Sequence, residues 1–195
     1  GCNGYSMIDG GNGANLTITD SRFFESETWM PVGNAPAIIG VNAGDLTIEG
    51  TVFDGLNRND QYAFYWEGVT GTEVNIVSSR FRDSGGIYIQ GESQSNIVNT
   101  IIVTDNFDKP GFGDRIINDS NGDMNIIASS LKWNINECDA VCQLANNQYL
   151  IERKGAGAIN FFQSAVGFTF VVEPPTNALM TLGETGANGI SADEY

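Results

Sequence analysis

The eight residues LTITDSRF, Leu16 to Phe23, return about thirty residues later as LTIEGTVF, Leu46 to Phe53, with apolar and polar positions in the same order. Recurrence at this spacing means that one structural unit is stacked on the next. Further copies are VNIVSSRF ending at Phe81, TIIVTDNF at Phe107, MNIIASSL at Leu131 and INFFQSAV at Val166. Apolar residues occupy positions three and eight of each copy and position one of all but TIIVTDNF, with a polar bend near positions five and six, so a strand alternation is broken by a turn. Another short apolar run precedes each copy: YSMI, AIIGV, AFYW, GIYI, RIIN and YLIE, joined to it by turn-rich links such as NAGD and DSNGD. Strand, turn, strand and bend leave no room for a crossover helix. The unit predicts an all-β, single-stranded parallel β-helix of about six coils, each strand pairing with its equivalent about 4.8 Å away. Leu16, Ile18 and Phe23 then stack inward on Leu46, Ile48 and Phe53 and on the copies beyond. An antiparallel sandwich also has many short strands, but it offers no reason for an in-register repeat.

The outward positions show what the core does not dictate. Position two reads Thr17, Thr47, Asn75, Ile101, Asn125 and Asn160, a ladder of mostly small polar groups. Position four reads Thr19, Glu49, Val77, Val103, Ile127 and Phe162. The apolar run Val77, Val103, Ile127, Phe162 on an outer face calls for a cover, and it is the candidate assembly face. The cover could be an insert at Asn134 to Asn147, the chain after Phe168, or another chain. The insert reads as a short helix capped by Asn134 or Asn136, with Ala140, Val141 and Leu144 on its apolar side. Residues 1–172 form the β-helix domain and 173–195 an extended, Pro- and Gly-rich tail or cap. Gly1 starts almost directly in a coil, and an open solenoid end exposes strand edges, so this end is expected to continue or to stack on something.

The chain of 195 residues carries nine basic and 24 acidic residues, a net charge of -15, which repels nucleic acid and anionic membranes alike. It has no His, which removes imidazole chemistry. No apolar run reaches the ~20 residues of a membrane-spanning helix, and GCNGYSMIDGG lacks the layout of a signal peptide. Cys138 and Cys142 in ECDAVC would share one face of a helix and could form a disulfide or remain a buried free pair, with Cys2 left without a partner inside the chain. Sequons stand at Asn15 and Asn118, the N-glycosylation candidates. Together these features favour an extracellular or cell-surface setting.

Over Tyr5 to Val172, the repeat with its inward apolar pattern resembles the pectin-lyase-like right-handed parallel β-helix superfamily. The stretch SRFRDSGGIYI is similar to the repeats of polymorphic outer-membrane-type surface proteins through Phe81, Gly85, Gly86 and Ile87, with Ser84 in place of their Asn. The first resemblance implies a right-handed helix, in a superfamily that holds lyases, hydrolases, epimerases, tailspikes and non-catalytic adhesins. The clustered Asp residues and Gly-His-Gly element of the polygalacturonase type are absent. Pectate-type lyases are expected to stack carboxylates for Ca²⁺ beside an Arg or Lys base. Here Arg22 and Arg80 share an outward column with Val52 between them, and no column stacks carboxylates, so neither Arg is assigned a catalytic role.

Two oxygen-rich turns remain. In DSNGD, Asp119, Asn121 and Asp123 alternate like the start of a Ca²⁺ loop, although the Gly falls too early and the closing Glu is missing. DGLNRND offers Asp54, Asn57, Asn59 and Asp60. Both compositions are equally those of plain turns. The third constellation is aromatic. In AFYWE and GIYIQ the alternation sends Tyr65 and Tyr88 outward beside Glu67 and Gln90, a glycan-binding arrangement in which rings stack on sugars and polar groups meet hydroxyls. An aromatic ladder that only stabilises adjacent strands reads the same way. The expectation is a secreted or cell-surface domain of structural or adhesive role, glycan-contacting and self-assembling, without a catalytic residue. The alternative is a Ca²⁺-dependent lyase acting on an acidic polysaccharide. Ice binding needs a flat Thr array, for which Thr17, Thr19 and Thr47 are too few.

Overall fold

The computed structural model describes residues 8–24, 38–55, 62–84, 86–104, 115–135, 151–170, 180–181 and 191–192. Its strands form three parallel sheets, and successive strands of one sheet come from successive coils. The first sheet orders Ile8–Asp9, Ile38–Ala43, Tyr62–Gly68, Gly86–Gly91, Ile116–Ser120, Ile151–Arg153 and Met180–Thr181. The second orders Leu16–Thr19, Leu46–Glu49, Glu73–Val77, Gln94–Val98, Met124–Ile127, Ile159–Phe162 and Ser191–Ala192. The third orders Arg22–Phe24, Val52–Asp54, Arg80–Arg82, Ile101–Thr104, Ser130–Ile135 and Ala165–Phe170. No helix occurs among the described residues. This is the architecture of a parallel β-helix, with successive strands of the chain visiting the three sheets in turn.

The register aligns the repeat residue by residue. Leu16, Leu46 and Val74 pair in one column, Ile18, Ile48 and Ile76 in another, and Phe23, Phe53 and Phe81 in a third. The three Phe rings stack almost parallel, with centroids 4.8 and 4.6 Å apart. Full burial of each such side chain contributes about 1.5–3 kcal/mol, so the stacked columns are the main source of stability. On the first sheet a size match stands out: the Trp66 indole lies over Gly40 and Gly10, where an added Cβ would come within 2.5 and 2.7 Å of the ring. Trp66 Nε1 donates to the Gly44 carbonyl at 3.0 Å.

The bend has one chemistry in all six copies. Position five is Asp20, Gly50, Ser78, Asn99, Ala128 or Gln163, each left-handed with φ between 46° and 58°. One left-handed residue turns the corner and shifts the strand parity, so that position eight points inward instead of outward. Outside Gly such a backbone costs about 1–2 kcal/mol. Position six is a hydroxyl in each of the six copies: Ser21, Thr51, Ser79, Thr100, Ser129 and Ser164. Each hydroxyl donates to the carbonyl two residues earlier, at 2.8–3.0 Å. Each from Thr51 onward also accepts the N–H of its counterpart in the preceding coil, at 3.1–3.4 Å. The corner thus satisfies backbone groups that no sheet can reach.

Two sequence expectations are corrected. The fourth copy is SNIVNTII, Ser95 to Ile102, because Asn96 pairs with Asn75 and Asn125 and Ile102 pairs with Phe81 and Leu131. Ser95, buried at the apolar position one, disguised that copy, and the run Ile101–Val103 belongs to the third sheet. Asn134 caps no helix at the start of the insert, since it lies in the strand Ser130–Ile135 and pairs with Thr169. The rest of the insert, with Cys138 and Cys142, lies outside the described residues, as does Cys2. The sheets also run past residue 172: Met180 pairs with Ile151 and Ser191 with Asn160, so part of the expected tail extends two sheets.

The corner chemistry is tested at Thr100, which is fully buried. Thr100→Val keeps the shape but leaves the Ser79 N–H without its acceptor, and should cost about 1–3 kcal/mol in urea unfolding. Thr100→Ser, which keeps the hydroxyl, should cost less than half as much. A loss with Thr100→Ser and none with Thr100→Val would mean that methyl packing and not the hydroxyl matters there.

Candidate functional site

Tyr65 and Tyr88 pair on adjacent strands of the first sheet, and one step along the same outer face Glu67 pairs with Gln90 and Gln90 with Asp119. Strand alternation explains the separation of faces, because Phe64, Trp66, Ile87 and Ile89 are buried while both tyrosines are half-buried. The strands end together at a corner where coils approach too closely for side chains. A Cβ on Gly91, at φ 85°, would lie 2.3 Å from the Gly68 carbonyl oxygen. Gly there fixes where the strands stop, and so the register of the acidic row.

The tyrosine rings are 5.1 Å apart and tilted by 53°. Tyr65 Oη lies 2.5 Å from Gln90 Oε1 and 3.4 Å from Glu67 Oε2, and Tyr88 Oη donates to Asp119 Oδ2 at 2.5 Å. Burial, the Glu67 carboxylate and its hydrogen bond, and Asp119 beyond it push the Tyr65 phenol up from 10.0 to about 12. The phenol is therefore a hydrogen-bond donor at neutral pH and not a base.

Further along the tyrosine column stand Ile117 and Glu152. Ile117, Arg115 and Glu152 are buried although they point away from the core, so the outer face is closed there and open at the tyrosines. Arg115 forms a buried ion pair with Glu152. Lys154 Nζ approaches Glu152 Oε1 at 3.8 Å and sits 5.8 Å from the centroid of the Tyr88 ring. Sequence reasoning placed Tyr65, Glu67, Tyr88 and Gln90 together, as the structure does, but missed Asp119, Glu152 and Lys154 as their neighbours. The signal for Asp119 was available: laying RIINDS under GIYIQG sets it beneath Gln90.

The expected Ca²⁺ loop does not converge. Asp119 accepts from Tyr88, Asp123 Oδ1 accepts the Ala158 N–H at 2.8 Å, and the Asn121 N–H donates to the Gly91 carbonyl at 2.9 Å. Among the described residues no three Asp, Glu, His or Cys side chains gather as a metal site. The Asn118 sequon is also corrected. Its side chain is fully buried, and its amide donates to the carbonyls of Gly122, Ala158 and Gly157, leaving no room for a glycan in the folded coil. Asn15 is exposed, with Oδ1 accepting the Asp45 N–H.

On the second sheet the apolar column is Val77, Val98, Ile127 and Phe162, all half-buried. Val103 lies instead on the third sheet between Arg82 and Lys132, a consequence of the corrected fourth copy. Beside the column runs an unbroken amide ladder. Asn96, Asn125 and Asn160 each donate through Nδ2 to the Oδ1 of the Asn one coil earlier, at 3.0 Å. Arg22 is tied to Asp54 at 2.9 Å. Comparison with protein-family models, curated proteins and solved structures finds no match for the chain.

The Tyr65 environment predicts its titration. Phenolate absorbance, read as wild type minus Tyr65→Phe, should rise near pH 12, and Glu67→Gln should lower that midpoint. An unfolded chain ionises this phenol near 10. Stability from the neutral phenol is thus complete below pH 10 and is lost as pH rises from about 10 to 12. A midpoint at 10 in the native protein would show that neither burial nor Glu67 acts on it.

Proposed function

We propose that this chain is a right-handed, pectin-lyase-like β-helix domain of a secreted or cell-surface protein, whose first sheet contacts a glycan in a structural or adhesive role. The observation that carries the reading is the pair of tilted tyrosines beside the row Glu67, Gln90 and Asp119. Aromatic faces with adjacent hydrogen-bonding groups suit pyranose rings, which are apolar on their faces and polar at their rims. The exposed Asn15 sequon fits an extracellular setting. A Ca²⁺-dependent lyase is supported less well. Tyr65 is held protonated, Lys154 is engaged by Glu152 and Tyr88, and the carboxylates of Asp119 and Asp123 face different partners.

Calorimetric titration with a panel of oligosaccharides tests the glycan reading. At least one should bind, and Tyr65→Ala and Tyr88→Ala should each weaken it about tenfold or more while circular dichroism stays unchanged. Binding that survives both substitutions would remove the platform from the account. Release of unsaturated products from uronate polymers with Ca²⁺ would favour the lyase.

The column Val77, Val98, Ile127 and Phe162 supports self-association, because it is an uncharged strip on a chain of net charge -15. Light scattering over a wide concentration range should show oligomers that Val98→Asp reduces. A concentration-independent monomer sinks the self-assembly reading.

A further inference from the structure

We infer that the glycan on the tyrosine platform is a linear polymer bearing protonated amines, of the polyglucosamine class, running along the helix axis. This rests on the glycan reading above and narrows it. Glu67 and Asp119 have no ion pair among the described residues, and they flank Gln90 in one row on the outer face. Glu152, in the adjacent column, holds two cations, Arg115 and Lys154.

Lys154 shows within the molecule how an ammonium is received. Its Nζ is within reach of both the Tyr88 ring and the Glu152 carboxylate, so aromatic attraction and charge act on it together. Tyr65 and Glu67 also bring an aromatic ring and a carboxylate together, here on one strand and through the phenol hydroxyl, with no described cation paired to the carboxylate. A ligand ammonium there would gain both contacts, and a second could meet Asp119 two rungs along the row. Rungs repeat at about 4.8 Å along one axis, which favours a linear polymer over a branched or single-sugar ligand. The net charge of -15 draws polycations and repels uronates.

The experiment titrates the full chain with a glucosamine hexamer, its N-acetylated form, a neutral glucose hexamer and a uronate hexamer. The amine form should bind about tenfold or more tightly than the acetylated one. Glu67→Gln and Asp119→Asn should each weaken it at least about threefold. Glu49→Gln, on the exposed outer face of the second sheet, should leave it unchanged, and Lys154→Ala should not weaken it. Equal binding of amine and acetylated forms, or preference for the neutral or uronate oligomer, overturns the amine inference and leaves the glycan reading standing. A loss with Glu49→Gln equal to that with Glu67→Gln means attraction by net charge alone, and also overturns it. Binding of none of the four by the native chain overturns the amine inference, and the wider oligosaccharide panel then decides the glycan reading.

Discussion

The hydrogen bond on which the rest depends is made at the corner, where a Ser or Thr hydroxyl takes the backbone N–H of the preceding coil and gives its own proton to a carbonyl two residues back. Without it, each coil would bury backbone groups at a corner where strand pairing lapses, at a cost of about 1–3 kcal/mol per group. Five such links connect Ser21 to Ser164. They set the vertical register, and the register sets the columns. Phe over Phe in the core and Tyr beside Tyr on the outer face follow from the same stacking.

The outer face follows different rules from the core. Inward columns repeat because packing rewards sameness, as in Leu16, Leu46 and Val74. Outward columns are free to change, and along one column the first sheet passes from Ile39 through Tyr65 and Tyr88 to Ile117 and Glu152. The interior changes too. The inward column that begins with Gly40 and Trp66 ends in Asn118 and Arg153, whose donors reach carbonyls of the corner residues. Polar side chains there do for the corner near Gly157 what the hydroxyls do for the others.

How much of this was legible in the sequence depends on whether a residue's role is set by its own coil. Apolar alternation is local, so most of the inward stacks, five of the six bends and the outward tyrosines could be read directly. The fourth copy could not, because Ser95 breaks the apolar signature and Ile101–Val103 imitates it five residues on. The αL residue followed by a hydroxyl, Asn99 and Thr100, was the more reliable marker of the repeat. The neighbourhood of Tyr88 needed inter-coil register across links of unequal length, so Glu152 and Lys154 stayed hidden. Asn118 looked like an exposed sequon because its buried partners, Gly157 and Ala158, lie some forty residues away.

The left-handed residue at the fifth position divides the chain into parts that tolerate change very differently. The eight-residue segments keep one length in all six copies, from Leu16–Phe23 to Ile159–Val166, whereas the stretches between them vary widely. Adding or deleting one residue inside a segment would invert the facing of everything up to the next corner. The same change in a link leaves every column intact. A lineage of such chains can therefore drift in its links, gain or lose whole coils, and alter its outer columns one rung at a time, while the grammar of its corners stays fixed.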